Sequence, residues 1–551
     1  MNRALIFLAP LLLLLAPAGG FAQPAPVGPD AGLASQTKDQ PDKAEPGSPR
    51  QAVKGGATDE PAAGEEARPG TDRRAERASA AKLSDYDIAT APIAERRVAS
   101  RHSAVIGGRR LAYTATAGTL TIRDDDGKPT ASVFYVAYTA GDGRGARRPV
   151  TFFYNGGPGS STVWLHMGSL GPVRVRTDSP AATHNAPFDL AGNNDSLLDK
   201  SDLVFLDAIG AGFSRPLGDT KLSAFWGTDP DIDAFARAIE RYLTLNGRWN
   251  SPKFIFGESY GTTRSAGLSY KLQEDGVQLN GVILLSSILN YGRRDPGFDQ
   301  ELVNYLPSYA AAAAYHHRLA APPADLPTYL REVRDWARGP YALALAKGED
   351  LSDVERRAAA AQMAAYTGLS PRFILDNDLR VTPARFRKEL LRDERRTLGR
   401  YDDRFTGMDV DAAGEAPQYD PSDTGITGAF VAAFHDYLAR DLGYTTEMTY
   451  RPTHYDRALH WDFRHRAPGD REGGNTNEAD VALDLSAAMR QNPHLLVYSL
   501  NGIYDLATPF FGTEYDLAHM QLDPTLRANL RFAYYPSGHM VYLNPQALAS
   551  M

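Results

Sequence analysis

At 551 residues with a formal net charge of -8, the chain can bury a large core, and its acidic balance argues against nucleic acid or an anionic lipid surface as partner. It contains no cysteine, which excludes disulfides, thiol catalysis and thiolate metal sites. Residues 1–22 read as an export signal, with Arg3 as the positive start, Ala4 to Ala16 as the apolar stretch and Gly20-Phe21-Ala22 as a small-residue cleavage site. That stretch is too short to span a bilayer comfortably, and no other run approaches about 18 apolar residues. The expectation is therefore an exported protein, periplasmic or secreted, with no membrane attachment once the signal is removed. Residues 23–82 are rich in Pro, Ala, Gly and Glu and almost devoid of aromatic and β-branched residues. Such a segment cannot bury enough apolar surface to offset its ordering entropy, and reads as a disordered linker.

The folded part, 83–551, opens with β-type alternation in Arg110 to Thr116, Leu120 to Ile122 and Ser132 to Tyr138. Asp124-Asp125-Asp126-Gly127, between the last two runs, reads as a hairpin turn, because a calcium loop needs acids at alternate positions and a distal Glu. Short apolar runs of the buried parallel type follow: Val150 to Tyr154, Leu203 to Leu206, Phe254 to Phe256, Val282 to Leu285 and Leu495 to Tyr498. Helical segments such as Asp231 to Asn246 separate them. This pattern predicts a mostly parallel central sheet with helices on both faces. From about 290 to 490 the strand pattern stops, and Ala-rich stretches (Tyr309 to Leu319, Val354 to Tyr366) predict a large, mostly helical cap insertion.

Gly257-Glu258-Ser259-Tyr260-Gly261 lies between the strand ending at Phe256 and a helical stretch from Thr262 to Gln273. Strand, G-x-S-x-G, helix is the nucleophile elbow, in which the glycines permit a sharp turn that lifts a strained serine into the open. A serine needs a base, and the base an orienting acid. In this arrangement the order is Ser, acid, His, each after a strand. Asp505 follows Leu495 to Tyr498 on a glycine-bearing loop, and His539 follows Leu530 to Tyr535. The predicted catalytic set is Ser259, Asp505 and His539.

Asn155-Gly156-Gly157-Pro158-Gly159-Ser160-Ser161 directly follows a strand but lacks both G-x-G-x-x-G and the phosphate-loop lysine. In a serine hydrolase this loop carries the second oxyanion donor, so the Gly157 and Tyr260 N–H groups are the predicted oxyanion hole. His454, His460 and His465, with Asp456 and Asp462, fit no zinc spacing and read as solvent-facing or structural. No metal and no cofactor is expected.

The glycine loop, Leu206-Asp207-Ala208-Ile209-Gly210-Ala211-Gly212-Phe213-Ser214, Gly-Glu-Ser-Tyr-Gly, and the late Asp and Gly-His-Met together resemble the serine carboxypeptidases, in a bacterial-type member, from roughly Arg148 to His539. The resemblance implies an α/β-hydrolase fold and removal of single residues from the C-termini of peptides. It makes Ser259 the nucleophile, His539 the base and Asp505 its orienter, and assigns Asn155, Gly156 and Glu258 to binding substrate, with Asn155 and Glu258 on its terminal carboxylate. A carboxylate beside Glu258 is tolerable only if the two share a proton, so Glu258 should have a raised pKa and activity should favour acid. The chain departs from the family's pattern at Ser169, where a second Glu is usual, and in lacking the family's cysteines. Trp164 and Tyr154 stay unassigned. An esterase or acyltransferase on the same triad, or a non-catalytic binding protein on this scaffold, are the alternatives, because acyl-serine chemistry does not itself select the substrate.

Overall fold

The computed structural model describes residues 91–141, 147–294, 297–454, 460–469 and 477–551, the side chain of Asn477 excepted. The export signal, the linker, the first residues of the expected folded part and Asp456 lie outside the described residues. All described residues fall in one compact unit, Asp72–Met551.

Alternation of buried side chains builds a twisted sheet whose main strands are β1 (Arg97–Ile106), β2 (Arg109–Arg123), β3 (Pro129–Ala140), β4 (Val150–Tyr154), β5 (Asp202–Leu206), β6 (Lys253–Glu258), β7 (Gly281–Leu285), β8 (Leu496–Gly502) and β9 (Leu530–Tyr535). Their spatial order is β1-β2-β3-β5-β4-β6-β7-β8-β9, and a two-residue strand, Arg215–Pro216, pairs with β3. Pairing is antiparallel from β1 to β5 and parallel from β5 to β9. Asp124 to Gly127 is the β2–β3 turn, closed by the Gly127 N–H on the Asp124 carbonyl at 3.0 Å. The runs Arg110 to Thr116 and Leu120 to Ile122 both lie in a single strand, β2. Gly118, which separates them in the sequence, is paired with Tyr135 and needed because a Cβ there would lie 2.4 Å from the Arg96 carbonyl.

Because strand side chains alternate between faces, the parallel strands supply two cores. Val150, Phe152, Tyr154, Ile255, Val282 and Val497 face helices α1 (Thr228–Leu245), α2 (Tyr260–Glu274) and the later helix Ala482–Gln491. Phe153, Phe205, Phe256 and Leu285 face the short helix Val163–Gly168, helix Pro421–Asp436 and the C-terminal turn around Tyr542. A third core is helical, gathering Val303 to Ala313, Leu330, Val333, Met363 and Phe386 with Phe510 and Phe511. Four of its helices start at side-chain caps: Asp325 on the Thr328 N–H, Ser352 in a capping box with Glu355, Ser370 on Phe373 and Thr382 on Arg385. The 290–490 insertion is thus divided. Its first part makes this helical body, whereas Pro421–Asp436 and Ala482–Gln491 return to pack on the two faces of the sheet.

Among the described residues no helix is long and apolar enough to cross a membrane.

Candidate active site

Ser259 stands at the junction of β6 and α2 with φ 60° and ψ -130°, a left-handed conformation that costs a non-glycine residue about 1–3 kcal/mol and persists only when its surroundings impose it. They do so here. The Ser259 N–H donates to the Leu285 carbonyl at 3.0 Å, and the Ser259 carbonyl accepts from the Thr262 N–H at 2.8 Å and the Thr262 hydroxyl at 2.7 Å. A Cβ on Gly257 would lie 2.0 Å from the Gly261 carbonyl, and one on Gly261 would lie 2.8 Å from the Tyr154 carbonyl. Both glycines are therefore fixed by the closeness of strand and helix. The helix starts at Tyr260, two residues earlier than the pattern suggests, which puts the Tyr260 N–H at a position with no intrahelical acceptor.

The glycine loop lies directly against this turn: a Cβ on Gly156 would sit 2.4 Å from the Tyr260 nitrogen. Arg264, one turn into α2, holds the arrangement. It is fully buried, pairs with Asp231 at 2.7 and 3.1 Å, donates to the Asn155 carbonyl at 2.9 Å and lies over the Phe235 ring at 4.0 Å. Removing one member of such a pair leaves an uncompensated buried charge. Arg264→Ala is expected to lower stability by about 3–5 kcal/mol, read as a lower denaturant midpoint.

The other predicted pair is joined directly. His539 Nδ1 is 2.7 Å from Asp505 Oδ2. Asp505, fully buried, also accepts from the Ala507 N–H at 2.7 Å, the Thr508 N–H at 2.9 Å and the Thr508 hydroxyl at 2.7 Å. These bonds lock the carboxylate and leave Nδ1 as the hydrogen-bearing nitrogen of a neutral His539. Tyr401 stacks on the imidazole, with centroids 5.0 Å apart, and its carbonyl accepts from the His539 N–H at 2.6 Å. Burial works against the imidazolium, but the Asp505 and Glu258 carboxylates outweigh it and raise the pKa of His539.

Ser259, His539, Asn155, Gly156, Gly157 and Glu258 line one cavity of about 110 Å³, together with Ser160, Trp164, Tyr401, Asp423, Thr453 and Met540. Asp505 stands behind His539, outside that lining. Tyr260 is buried, with its ring packed edge-on to Trp461 at 5.2 Å, so only its backbone bears on the oxyanion position. Glu258 is 1% exposed, and burial pushes its pKa up to about 7 against the opposing pull of His539, Tyr542 and Asn155. Among the described residues, its Oε2 and the Tyr542 hydroxyl have no hydrogen-bond partner. Asn155 accepts from the Leu165 N–H at 3.0 Å through Oδ1, which leaves its amide nitrogen for Glu258 and the cavity.

Other sequence candidates are placed differently. Ser169 is fully buried and donates back to the Leu165 carbonyl, away from the cavity lining. Tyr154 belongs to the core, its hydroxyl 2.8 Å from that of Ser265, whereas Trp164 lines the cavity with its indole N–H buried and, among the described residues, unpartnered. His465 sits between Asp229 at 2.5 Å and Asp484 at 2.8 Å, and His460 is exposed. Tyr401, Asp423 and Thr453 come from the insertion and carried no sequence signal. Thr508 had a faint one, since an acid followed two and three residues later by N–H donors is an Asx-turn pattern.

Residues 109–291 match the family model described as serine carboxypeptidase. Over that segment the chain is similar to the serine carboxypeptidases. The matched segment includes Asn155, Glu258 and Ser259, while Asp505 and His539 lie beyond it. Among solved structures, the chain is similar to the prohormone-processing carboxypeptidase Kex1 of Saccharomyces cerevisiae, with 16% identity, 79% of this chain and 89% of that one covered, and a TM-score of 0.42. It is also similar to a proline iminopeptidase of Mycobacterium smegmatis (14% identity, 78% and 95% covered, TM-score 0.32) and to a carboxyl esterase of Bacillus coagulans (12% identity, 78% and 93% covered, TM-score 0.28).

Proposed function

We propose that this protein is an exported serine carboxypeptidase that releases single amino acids from the C-termini of peptides through an acyl-enzyme on Ser259. The observation that carries the reading is the shared cavity. A strained serine, an Asp-bound histidine and an Asn–Glu pair suited to a terminal carboxylate line or adjoin a space of about 110 Å³. That is well under the roughly 300–1,000 Å³ of pockets for drug-sized ligands, and suits the end of a chain.

In this mechanism His539 Nε2 takes the proton of Ser259 as its Oγ attacks the last peptide carbonyl, while Asp505 holds Nδ1–H and stabilises the imidazolium. The oxyanion of the tetrahedral intermediate is bound by the Gly157 and Tyr260 N–H groups. The imidazolium returns the proton to the departing amine, and a water activated by the same nitrogen then releases the peptide from Ser259. Asn155 donates to the substrate's carboxylate, and protonated Glu258 shares its hydrogen with it.

The sign of the pH dependence follows. Glu258 must be neutral to accept an anion, and its pKa is about 7, so carboxylate binding weakens as pH rises through that value. His539 must be neutral to act as base, so activity falls as pH drops through its raised pKa. For a free-acid peptide kcat/KM is expected to be bell-shaped, with apparent pKa values belonging to the coupled pair. The alkaline limb should disappear in Glu258→Gln and be missing for an ester substrate. The function itself is tested with an N-blocked dipeptide as free acid, as amide and as ethyl ester. Preference for the free acid supports the reading. Cleavage of the ester with indifference to the free acid assigns the site to an esterase or acyltransferase instead.

A further inference from the structure

The sheet ends in two edge strands, and they are unlike. β1 presents Arg97, Ala99, Arg101, Ser103 and Val105 at its exposed positions, and charged side chains along an edge guard it against pairing with another chain. β9 pairs with β8 on one side, and among the described residues no strand pairs with its other side. Two of its exposed residues are large and aromatic. Phe532 is 39% and Tyr534 40% exposed, with their rings stacked 6.5 Å apart. With Leu517, Leu522 and Leu530 they line a groove of about 610 Å³ beside helix Phe510–His519.

The backbone of β9 is turned for pairing outward. The Tyr535 carbonyl accepts from the Ile503 N–H at 3.0 Å and the Ala533 carbonyl from the Asn501 amide at 3.2 Å, both on the β8 side. Successive residues of a strand direct their N–H and C=O to opposite sides, so those of Phe532 and Tyr534 point away from the sheet, as does the Leu530 carbonyl. The Leu530 N–H is already used on the Arg527 carbonyl. Two copies meeting across a twofold axis normal to the sheet keep each face with its like, so residues an even number of places apart stand opposite one another. Centred on Phe532, this antiparallel pairing sets Phe532 against its counterpart and Leu530 against Tyr534 of the second copy, one apolar ladder joining the two grooves. Charge agrees with that register. Arg527, at the Leu530 end of the groove, is exposed and among the described residues has no ion-pair partner. Glu514, at the Tyr534 end, accepts from the Tyr534 hydroxyl at 2.8 Å and from Arg334 at 2.9 and 3.1 Å, all through Oε1, which leaves Oε2 open. Antiparallel pairing brings Arg527 of each copy toward Glu514 of the other.

We infer that the outer edge of β9 is an interaction surface for a second copy of this chain, joined antiparallel about Phe532 into one sheet that runs through the dimer. An unrelated strand has no reason to carry both the matching apolar ladder and the charges that meet Arg527 and Glu514, whereas the chain's own edge supplies both. The inference is independent of the reaction proposed for Ser259.

The test is sedimentation equilibrium on the full chain, which is expected to show a mass twice that of the chain at about 10 μM. Phe532→Lys sets two cations face to face at the axis and should raise the dissociation constant about 100-fold. Phe532→Pro removes an outward N–H while sparing the bonds to β8, and should act in the same direction. Register is read by cross-linking. The chain has no cysteine, and residues facing each other as a hydrogen-bonded pair have Cα atoms about 5.5 Å apart, within reach of a disulfide. Phe532→Cys is expected to give a covalent dimer under mild oxidation. Leu530→Cys, whose counterpart would lie about 13 Å away, is not. A wild-type chain still monomeric at about 100 μM overturns the proposal. So does a dimer indifferent to Phe532→Lys, or one in which Phe532→Cys fails to cross-link. A monomer that dimerises once residues 1–90 are removed also overturns it, and assigns the groove to that segment.

Discussion

Ser259→Ala is expected to reduce kcat on a free-acid peptide by about a million-fold, the scale on which removal of an acyl-enzyme nucleophile acts when the rest of its unit is intact. The side chain removed is small and sits on a turn whose φ of 60° is imposed by the backbone. Alanine has no advantage over serine at that angle, so the fold should be kept. The denaturation midpoint is expected to stay near that of the wild type while turnover vanishes. That dissociation between activity and stability is the part of the prediction that a structural role for Ser259 cannot produce.

Asp505→Asn is expected to cost about ten-thousand-fold in kcat. The reason lies in the four hydrogen bonds that converge on the carboxylate. The Ala507 and Thr508 N–H groups orient Oδ1, which leaves Oδ2 to accept from the Thr508 hydroxyl and from His539. An amide that keeps its oxygen toward the two N–H donors must present its NH₂ to His539 Nδ1. That favours the tautomer with hydrogen on the wrong nitrogen, and Nε2 can no longer act as base from the neutral ring. The check is a pH profile beside the rate: the acid limb assigned to His539 should shift toward lower pH once the carboxylate charge that raises its pKa is gone. A drop in rate with an unmoved acid limb argues that Asp505 does not act through His539.

How much of this was legible beforehand follows the range of the interactions. The inner parallel strands are buried on both faces and read as apolar runs, so Val150–Tyr154 has the bounds that the sequence suggests; the edge strand Leu530–Tyr535, which leaves Phe532 and Tyr534 exposed, has them too. The elbow is nearly as legible: Gly257 is needed for its contact with Gly261 within the turn itself, whereas the contact that requires Gly261 is made with Tyr154 of the neighbouring strand. Asp505 and His539 were reachable because both follow strands, and chain order narrows the choice. Gly118 carries no such local signal: it lies inside β2, where its role is close approach to the Arg96 carbonyl.

The remaining cavity wall was illegible. Tyr401, Asp423 and Thr453 reach the site from an insertion whose placement depends on long-range packing, not on any period in the sequence. Ser169 shows the converse. The sequence marked it as the place where an expected acid is missing, yet only the coordinates show that its side chain turns back on its own helix and away from the cavity. The acid that does join Glu258 in the wall, Asp423, lies 254 residues beyond Ser169 in the chain.

The most direct test of the central claim, an acyl-forming Ser259 in a site built around a free carboxylate, is the rate of irreversible labelling by a fluorophosphonate in the presence of competing ligands. The adduct is mapped by peptide mass. One adduct is predicted, on the peptide carrying Ser259, with labelling slowed by an N-blocked dipeptide acid at pH about 6, where Glu258 is still largely protonated, and scarcely by the corresponding amide. An adduct on another serine, or equal protection by acid and amide, would contradict the account.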